Sequence, residues 1–482
     1  MLCLQSISAM EPPSWQEISR TIAIDPERFE QILCAGHDEV VRIAILGDSQ
    51  EMCPGGSGCS YLPNINLAFF DRIGAIGETP VLSHWSIGSS SPAAWLWRAA
   101  VASPNGAATT LPAASILPGV RVRSHRSVDS SAQSYGLLGM LLHDGSLNGD
   151  PQIPQFPYFD NASTHVVAEL VAATRPESGG ATWRAMPRAT SSPSYFAAAT
   201  GGGGFEIDLS SAGAPQIRTA RTPPLDFAGL PYMSVEIAGN DPKLPTEIVG
   251  LRFVDLADER GVVVQGFSKG GYRIDQLLSL HGDSGWMLEG LGPRLAVLHF
   301  GANETTELVD LATWEAHLRD AIDWIRQAMG NDEFPIVLVG EVHHAGLDVE
   351  EQAIFDGQPA VLAGLAEDDP GLAFVNLRRI TAERYGWGPK DESFLIDTVH
   401  LSTEGQRMLA RAFVDALHSL GRLEGDLDGD GEVGPADLSM LLSSWGTSGG
   451  AACASRADLD GSGVVDAGDV VRLLAAWTPS KP

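Results

Sequence analysis

The 482-residue sequence predicts an α/β protein with a parallel, doubly wound sheet, a β-rich insertion and a small helical module at its end. Apolar strand-like runs alternate with amphipathic helices on both sides of a long loop-rich region, and such alternation favours a parallel sheet. The loop-rich region holds short strand-like runs between Gly- and Pro-rich turns, which is typical of a β-sandwich. In two segments near the end of the sequence, acidic residues recur at the same spacing.

These observations predict four units. Residues 1–37 form an N-terminal helical segment, and residues 38–85 and 262–420 together form the α/β domain. Residues 86–261 form the β-rich insertion, and residues 424–478 form the C-terminal module.

The elements of the α/β domain follow from short apolar runs and from helical periodicity. Ser402 is a plausible N-cap of the last helix, and Gly421 lies beyond its end. The predicted strands are 40–46, 294–300, 334–341 and 372–377, and the predicted helices are 63–75, 311–329 and 402–421.

The composition limits the classes of partner. The chain is 44% hydrophobic and carries a formal net charge of -30, so it should repel nucleic acid and anionic membranes. No run of about 20 apolar residues is present, which predicts no membrane span. The first residues, MLCLQSISAMEPPSW, lack the basic region and long apolar core of a signal peptide.

The sequence has only five cysteines, and this small, odd number argues against a disulfide framework. Cys53 and Cys59 flank the segment PGGSG, so these two cysteines are the candidates for a small disulfide-closed loop.

A serine at the end of a buried strand is the first candidate for chemistry. Ser49 lies in GDSQ, directly after the run VVRIAILG, although an isolated GDS triplet is usually an ordinary turn. A serine nucleophile needs a base and an orienting acid. The segment FLIDTVHLSTEG supplies both, because Asp397 precedes His400 by three residues just before the last helix.

Oxyanion donors are expected at the ends of other strands. Asn303 in GANE follows a predicted strand, and its side-chain amide can donate to a developing oxyanion. Gly271 in SKGGY can bring a backbone N–H close to a substrate, and the neighbouring Gly270 is an alternative donor.

The ordered set GDSQ, SKGGY, GANE and DTVH resembles the four blocks of the SGNH hydrolase (GDSL-type esterase) family. This resemblance implies a three-layer flavodoxin-like parallel sheet and a serine esterase that needs no cofactor for catalysis. It also implies roles for individual residues. Ser49 would be the nucleophile, His400 the general base and Asp397 its partner, and Ser49, Gly271 and Asn303 would form the oxyanion hole.

Two features differ from the family pattern. The usual Asp after the Asn is Glu304, a longer acid, and the gap between Ser49 and Gly271 is filled by the β-rich insertion. Some SGNH esterases that act on O-acetylated glycans carry a carbohydrate-binding-like β-sandwich at that point. The resemblance therefore implies an acetylated polysaccharide as substrate.

Other functions stay open at this point. The same site would serve an acyltransferase, in which a sugar hydroxyl replaces water. A non-catalytic glycan-binding protein is the alternative from another class, although it has no need of a Ser/Asp/His set. His343 and His344 follow a strand and are candidate metal ligands, but residues of a loop or of the substrate edge are the favoured interpretation.

The two acidic segments, DLDGDGEVGPAD and DLDGSGVVDAGD, have the spacing of calcium loops. Each has side-chain oxygens at positions one, three and five, Gly at six, a carbonyl at seven and an acid at twelve. The candidate ligands are Asp426, Asp428, Asp430, Glu432 and Asp437 in the first loop, and Asp458, Asp460, Ser462, Val464 and Asp469 in the second.

Each loop precedes apolar residues at helical spacing, Leu438, Leu441, Leu442 and Trp445 in the first repeat and Val470, Leu473, Leu474 and Trp477 in the second. This duplicated loop-helix unit resembles a dockerin module. The resemblance implies structural calcium at both loops, a cohesin-like or cell-surface partner, and an extracellular or cell-envelope location.

Overall fold

The computed structural model describes twenty-five parts of the chain. They are residues 18–48, 65, 68–69, 78–80, 100–102, 108–110, 120–122, 133–135, 137–143, 166–174, 176, 181–188, 205–211, 213–214, 216–225, 232–239, 246–257, 259–267, 271–281, 285–388, 392–420, 425–427, 432–447, 457–459 and 464–477.

The strands in these residues are β1 (Thr21–Ala23), β2 (Val40–Gly47), β3 (Glu78–Pro80), β4 (Ala100–Ala102), β5 (Ala108–Thr110), β6 (Val120–Val122), β7 (Gln133–Tyr135), β8 (Leu137–His143), β9 (Val166–Thr174), β10 (Ala181–Arg188), β11 (Phe205–Ile207), β12 (Gln216–Arg221), β13 (Tyr232–Gly239), β14 (Thr246–Asp255), β15 (Gly261–Gly266), β16 (Leu295–His299), β17 (Ile336–Gly340) and β18 (Leu372–Asn376).

The helices are α1 (Pro26–Cys34), α2 (Ile274–His281), α3 (Gly285–Leu291), α4 (Ala302–Thr306), α5 (Leu311–Met329), α6 (Val349–Asp368), α7 (Leu377–Tyr385), α8 (Thr403–His418), α9 (Pro435–Ser443) and α10 (Ala467–Ala475). None of the helices in the described residues combines the length and hydropathy needed to cross a bilayer.

The central sheet has six strands in the order β1-β18-β17-β16-β2-β15. Five of them are parallel, which confirms the predicted parallel sheet, and β1 joins the edge antiparallel to β18. Numbered along the chain, the parallel strands have the order 2-1-3-4-5, which is the flavodoxin-like order. The switch point, where ligands bind in such sheets, therefore lies between β2 and β16.

The strand β2 shows how the sheet is buried on both faces. Val41, Ile43 and Ile45 point into a core that also contains α1 and α8. Ala44 and Leu46 point into a second core, with α2, α3, α5 and α6. Because side chains alternate along a strand, this near-continuous apolar run supplies both cores of a three-layer structure.

Helix α5 illustrates why the helices begin and end where they do. The Asp310 side chain accepts a hydrogen bond from Thr313 N at 2.9 Å, and Gly330 ends the helix with φ of 60°. Its buried residues recur at helical spacing and face the sheet, and they are Trp314, Leu318, Ala321, Ile322 and Ile325.

The chain between β2 and β15 contributes two larger sheets and a two-stranded one. The larger sheets have the orders β11-β10-β13-β8 and β12-β9-β14-β6-β7, and β3 pairs with β14. Apart from the parallel pair β14/β6, the strands of these sheets are antiparallel. The sandwich arrangement of the insertion stays a prediction.

Two segments differ from the sequence-based expectations. The segment predicted to be helical, residues 1–37, also supplies the edge strand β1. Strand β3 lies in residues 38–85, assigned from sequence to the α/β domain, but it pairs with the insertion strand β14. Cys34 is disulfide-bonded, and its partner lies outside the described residues, as do Cys53 and Cys59.

The C-terminal module has a small core of its own, in which Leu441 and Leu473 are fully buried at equivalent positions of the two repeats. The expected apolar stripes are only partly confirmed. Leu442, Trp445 and Leu474 are about half exposed. Leu442 and Leu474 lie on short nine-residue helices that bury one side only, and Trp445 lies beyond the end of α9.

Candidate active site

The carboxyl end of β2 carries the first candidate block. Asp48 follows the strand and is fully buried, and its carboxylate accepts a hydrogen bond from Asn303 Nδ2 at 3.1 Å. Ser49, the next residue, lies outside the described residues, as does Gly270. The Asp48–Asn303 contact joins the ends of β2 and β16 at the switch point of the sheet.

Asn303 lies in α4, four residues after β16. Its amide also donates to Tyr272 O at 2.9 Å, so both Nδ2 hydrogens have acceptors. Tyr272 follows Gly271, which has φ of 77° and open space where a Cβ would lie. The sequence-predicted donors Gly271 and Asn303 therefore come from adjacent, directly bonded loops.

Glu304 forms a second, buried connection between the loops that carry Gly271 and Asn303. Its side chain is 1% exposed, and Oε1 accepts a hydrogen bond from Ile274 N, the first residue of α2, at 2.8 Å. Burial raises the pKa of Glu304 to about 7 because it outweighs the backbone hydrogen bonds that lower it, and the charges of Glu341 and Asp275 raise it slightly further.

Glu341 supports α4 from the neighbouring strand β17. Its Oε1 accepts a hydrogen bond from Ala302 N at 3.3 Å, and its Oε2 lies 3.5 Å from His299 Nε2 and 3.8 Å from His344 Nε2. Burial raises the pKa of Glu341, but the two imidazoles outweigh burial and hold it below its ordinary value.

Gly301 fits this packing because it has no side chain. Its φ is 154°, and a Cβ would lie 2.8 Å from Gln358 Oε1 and 3.0 Å from the Cγ of Glu341. Gln358 Nε2 donates to Gly301 O at 2.9 Å and to Thr305 Oγ1 at 3.0 Å. The contacts of Glu341 and Gln358 thereby fix the start of α4.

Asp397 and His400 form a directly bonded pair, as the sequence predicts. The distance between Asp397 Oδ2 and His400 Nδ1 is 2.7 Å. Asp397 Oδ1 accepts from Val399 N at 2.8 Å and from His400 N at 2.7 Å. Partial burial raises the pKa of Asp397, but these hydrogen bonds and the imidazole outweigh it, so the net pKa lies below the usual value.

The loop that carries this pair is closed by backbone hydrogen bonds. Ser402 N donates to Phe394 O at 2.7 Å, and Ala345 N, which follows β17, donates to Thr398 O at 2.7 Å. A Cβ at Gly405 would lie 2.4 Å from Phe394 O, so only glycine allows α8 to approach this closely. The pair therefore lies at the same edge of the sheet as Asp48 and Asn303.

His343 and His344 lie in the loop after β17, in line with the favoured loop interpretation, and both are buried. His344 stacks on Phe355 with ring centroids 4.7 Å apart, and His343 meets Trp387 edge-on at 5.9 Å. Within the described parts of the chain, no three His, Cys, Asp or Glu side chains come together as metal ligands.

The acidic loops are described only in part. Asp437 and Asp469, the twelfth residues of the two loops, are 1% and 0% exposed. Asp437 accepts from Leu427 N at 2.6 Å and from Gly434 N at 2.7 Å, and Asp469 accepts from Asp466 N at 2.7 Å. Asp426, Glu432, Asp458 and Val464 are also described, whereas Asp428, Asp430, Asp460 and Ser462 are not.

Two buried carboxylates held in equivalent places fit the oxygen-rich chemistry of a calcium loop.

One protein family is similar to the central part of the chain. Residues 232–408 match the model of the GDSL-like Lipase/Acylhydrolase family. The match covers 177 of the 482 residues. The matched residues include Gly271, Asn303, Asp397 and His400, and the match begins after Ser49.

Solved structures that are similar to this chain include a peptidoglycan O-acetylesterase, at 14% identity and a TM-score of 0.42 over 83% of this chain and 98% of that one. The acetylxylan esterase Axe2 from Geobacillus stearothermophilus is 19% identical, with a TM-score of 0.27 over 33% of this chain and 74% of that one. The acetyl xylan esterase AlAXEase is 17% identical, with a TM-score of 0.27 over 32% and 81%. No curated protein matches the chain.

The sequence did not point to Asp48, His299 and Glu341 as parts of this site. The available sequence signal for Asp48 was its place in the GDSQ motif, whereas its burial and its bond with Asn303 are visible only in the structure. His299 lies near the end of the predicted strand 294–300 and Glu341 ends the predicted strand 334–341. Their contact depends on the pairing of these strands, which the sequence alone does not reveal.

The raised pKa of Glu304 predicts a specific dependence of stability on pH. The folded state keeps the Glu304 proton up to about pH 7, whereas the unfolded chain loses it near the ordinary value of 4.5. Wild-type stability relative to Glu304→Gln should therefore fall by about 3 kcal/mol between pH 4 and pH 8, with the loss complete above pH 7.

Urea denaturation of both proteins at several pH values measures this difference. Parallel pH profiles for the wild type and the Gln variant would contradict the buried, protonated state of Glu304.

Proposed function

We propose that the protein is a serine ester hydrolase that uses Ser49, His400 and Asp397. The observation that carries the proposal is the pairing of a bonded Asp397–His400 couple with an Asn303–Gly271 loop pair at one edge of the sheet. Within a GDSL-like lipase/acylhydrolase domain, this arrangement supports ester hydrolysis.

In the proposed acylation step, Ser49 Oγ attacks the ester carbonyl while His400 Nε2 accepts its proton. The 2.7 Å contact with Asp397 fits a tautomer in which Nδ1 carries the hydrogen and leaves Nε2 as the base. The tetrahedral intermediate then collapses, and His400 returns the proton to the departing alcohol. Water activated by the same imidazole hydrolyses the acyl-serine.

The developing oxyanion would receive hydrogen bonds from Ser49 N, Gly271 N and Asn303 Nδ2. Because Tyr272 O and Asp48 accept both Asn303 hydrogens, one of these bonds must be shared or exchanged when the oxyanion forms. The Tyr272 bond is shorter, at 2.9 Å against 3.1 Å, so we expect Asn303 to keep it.

The substrate in this proposal is an O-acetyl group on a polysaccharide. The support is the position of the β-rich insertion, which the chain enters after Ser49 and leaves before Gly271, as in glycan-acting members of the family. The formal charge of -30 favours a neutral polymer over a polyanionic one, because like charges repel.

Replacing the nucleophile tests the reaction class. We expect Ser49→Ala to lower kcat/KM for p-nitrophenyl acetate at least about 1,000-fold, because no other group replaces the acyl acceptor. Ser279→Ala, which changes an exposed serine on α2, is the matched control and should retain wild-type activity.

Equal rates for the wild type and Ser49→Ala would rule out this site, and an inactive wild type that binds glycan would favour the non-catalytic alternative. Acetylated xylan, pectin and peptidoglycan then distinguish substrates. Free acetate among the products indicates hydrolysis, and a newly acetylated sugar indicates acyl transfer.

The C-terminal module completes the proposal. We propose that its loops bind calcium as a structural ion and that the module anchors the enzyme through a cohesin-like or cell-surface partner outside the cell. The buried Asp437 and Asp469 support this, because buried carboxylates are stable when a cation or several hydrogen bonds compensate their charge.

Chelation tests the calcium proposal directly. We expect EDTA to reduce the helical circular dichroism of the protein and excess calcium to restore it, because metal binding and loop folding are coupled. A spectrum unchanged by EDTA would contradict calcium-dependent folding of the module.

A further inference from the structure

The loops that carry Gly271 and Asn303 are joined by three side-chain contacts. Asn303 Nδ2 donates to Tyr272 O at 2.9 Å, Ile274 N donates to Glu304 Oε1 at 2.8 Å, and Arg273 pairs with Glu307. Three successive residues of one loop, Tyr272, Arg273 and Ile274, are thus bonded to three residues of the other.

These three contacts differ in how strongly each can fix the two loops relative to one another. The Glu307 side chain is 51% exposed, and an exposed ion pair contributes about 0–1 kcal/mol. Glu304 is 1% exposed and accepts its hydrogen bond in a low-dielectric interior, where an unmade bond is costly. Glu304 is therefore the strongest candidate for a rigid connection between the two loops.

The length of the Glu304 side chain decides whether the bond forms. Ile274 N belongs to α2 and Glu304 to α4, so the carboxylate spans the space between two helix starts. Removing one methylene withdraws the carboxylate by about 1.5 Å and leaves Ile274 N without this acceptor.

We propose that Glu304 is a positioning residue that fixes the distance between the two oxyanion donors, Gly271 N and Asn303 Nδ2, by binding Ile274 N. The proposal rests on the proposed esterase function and adds a residue that does not touch the substrate. A misplacement of about 1 Å in such a site costs on the order of 100-fold in rate.

Two variants separate side-chain reach from the ability to ionise. Glu304→Gln keeps the side-chain length and an acceptor oxygen but cannot ionise, and Glu304→Asp keeps the carboxyl group but loses the reach. We expect Glu304→Asp to lower kcat for p-nitrophenyl acetate about 10- to 100-fold with KM within about threefold of wild type. Glu304→Gln should stay within about threefold of the wild-type kcat.

Glu307→Gln is the matched control, because Glu307 lies just beyond the same helix and contacts the same loop from the surface. It should retain wild-type kcat. The double variant Asn303→Ala/Glu304→Asp should be no more than about threefold slower than Asn303→Ala alone, because Glu304 acts through the donor geometry. Multiplied losses in the double variant, or a slow Gln variant beside an active Asp variant, would overturn the proposal.

Hydrogen exchange of residues 271–276 gives a readout that needs no activity. Exchange there should be faster in Glu304→Asp than in the wild type and unchanged in Glu304→Gln and Glu307→Gln. Unchanged exchange in the Asp variant would overturn the positioning role. An inactive wild type with the expected exchange pattern would instead overturn only the esterase function.

Discussion

The pairing of β2 with both β15 and β16 is the constraint on which the rest of the structure depends. Ile43 lies opposite Val264 on one side and Leu295 on the other, so the carboxyl ends of three strands meet at one edge. The chain leaves β2 and β16 towards opposite sides of the 2-1-3-4-5 order, which opens a crevice there. Asp48 and Asn303 occupy its two walls and touch.

A buried polar layer beneath that crevice holds the loops in place. Glu304, Glu341 and Gln358 bind backbone groups of α4 or of the start of α2, and each is at most 3% exposed. Buried polar groups are costly unless they are hydrogen-bonded, so these contacts fix one arrangement of the loops. The pKa values of two carboxyl groups shift in opposite directions because their surroundings differ. Hydrogen bonds and the imidazole lower the pKa of Asp397, whereas burial raises the pKa of Glu304.

The sequence was sufficient where local signals agree. The run 40–46 is apolar on both faces, and helix 311–329 has an N-cap, periodic apolar residues and a terminal Gly, so both were predicted. The Asp397–His400 contact was predictable because three residues separate its members in one loop. Asn303 and Gly271 were found because both follow strands, although their bonding through Tyr272 was not visible.

Non-local features escaped prediction. Strand β1 is three residues long and is stabilised by pairing with β18, far along the chain. Helix α6 contains Pro359 and buries residues on several faces, so it lacks a clear amphipathic period. The His299–Glu341 contact and the reach of Glu304 to Ile274 depend on tertiary packing.

The central claim is that Ser49 faces an oxyanion hole made by Gly271 and Asn303. The most direct measurement is the crystal structure of the protein after reaction with a phosphonate ester that mimics the tetrahedral intermediate. The account predicts phosphorus bonded to Ser49 Oγ and the phosphonyl oxygen about 2.7–3.1 Å from Gly271 N and from Asn303 Nδ2. Phosphorus on another residue, or a phosphonyl oxygen turned away from both donors, would contradict it.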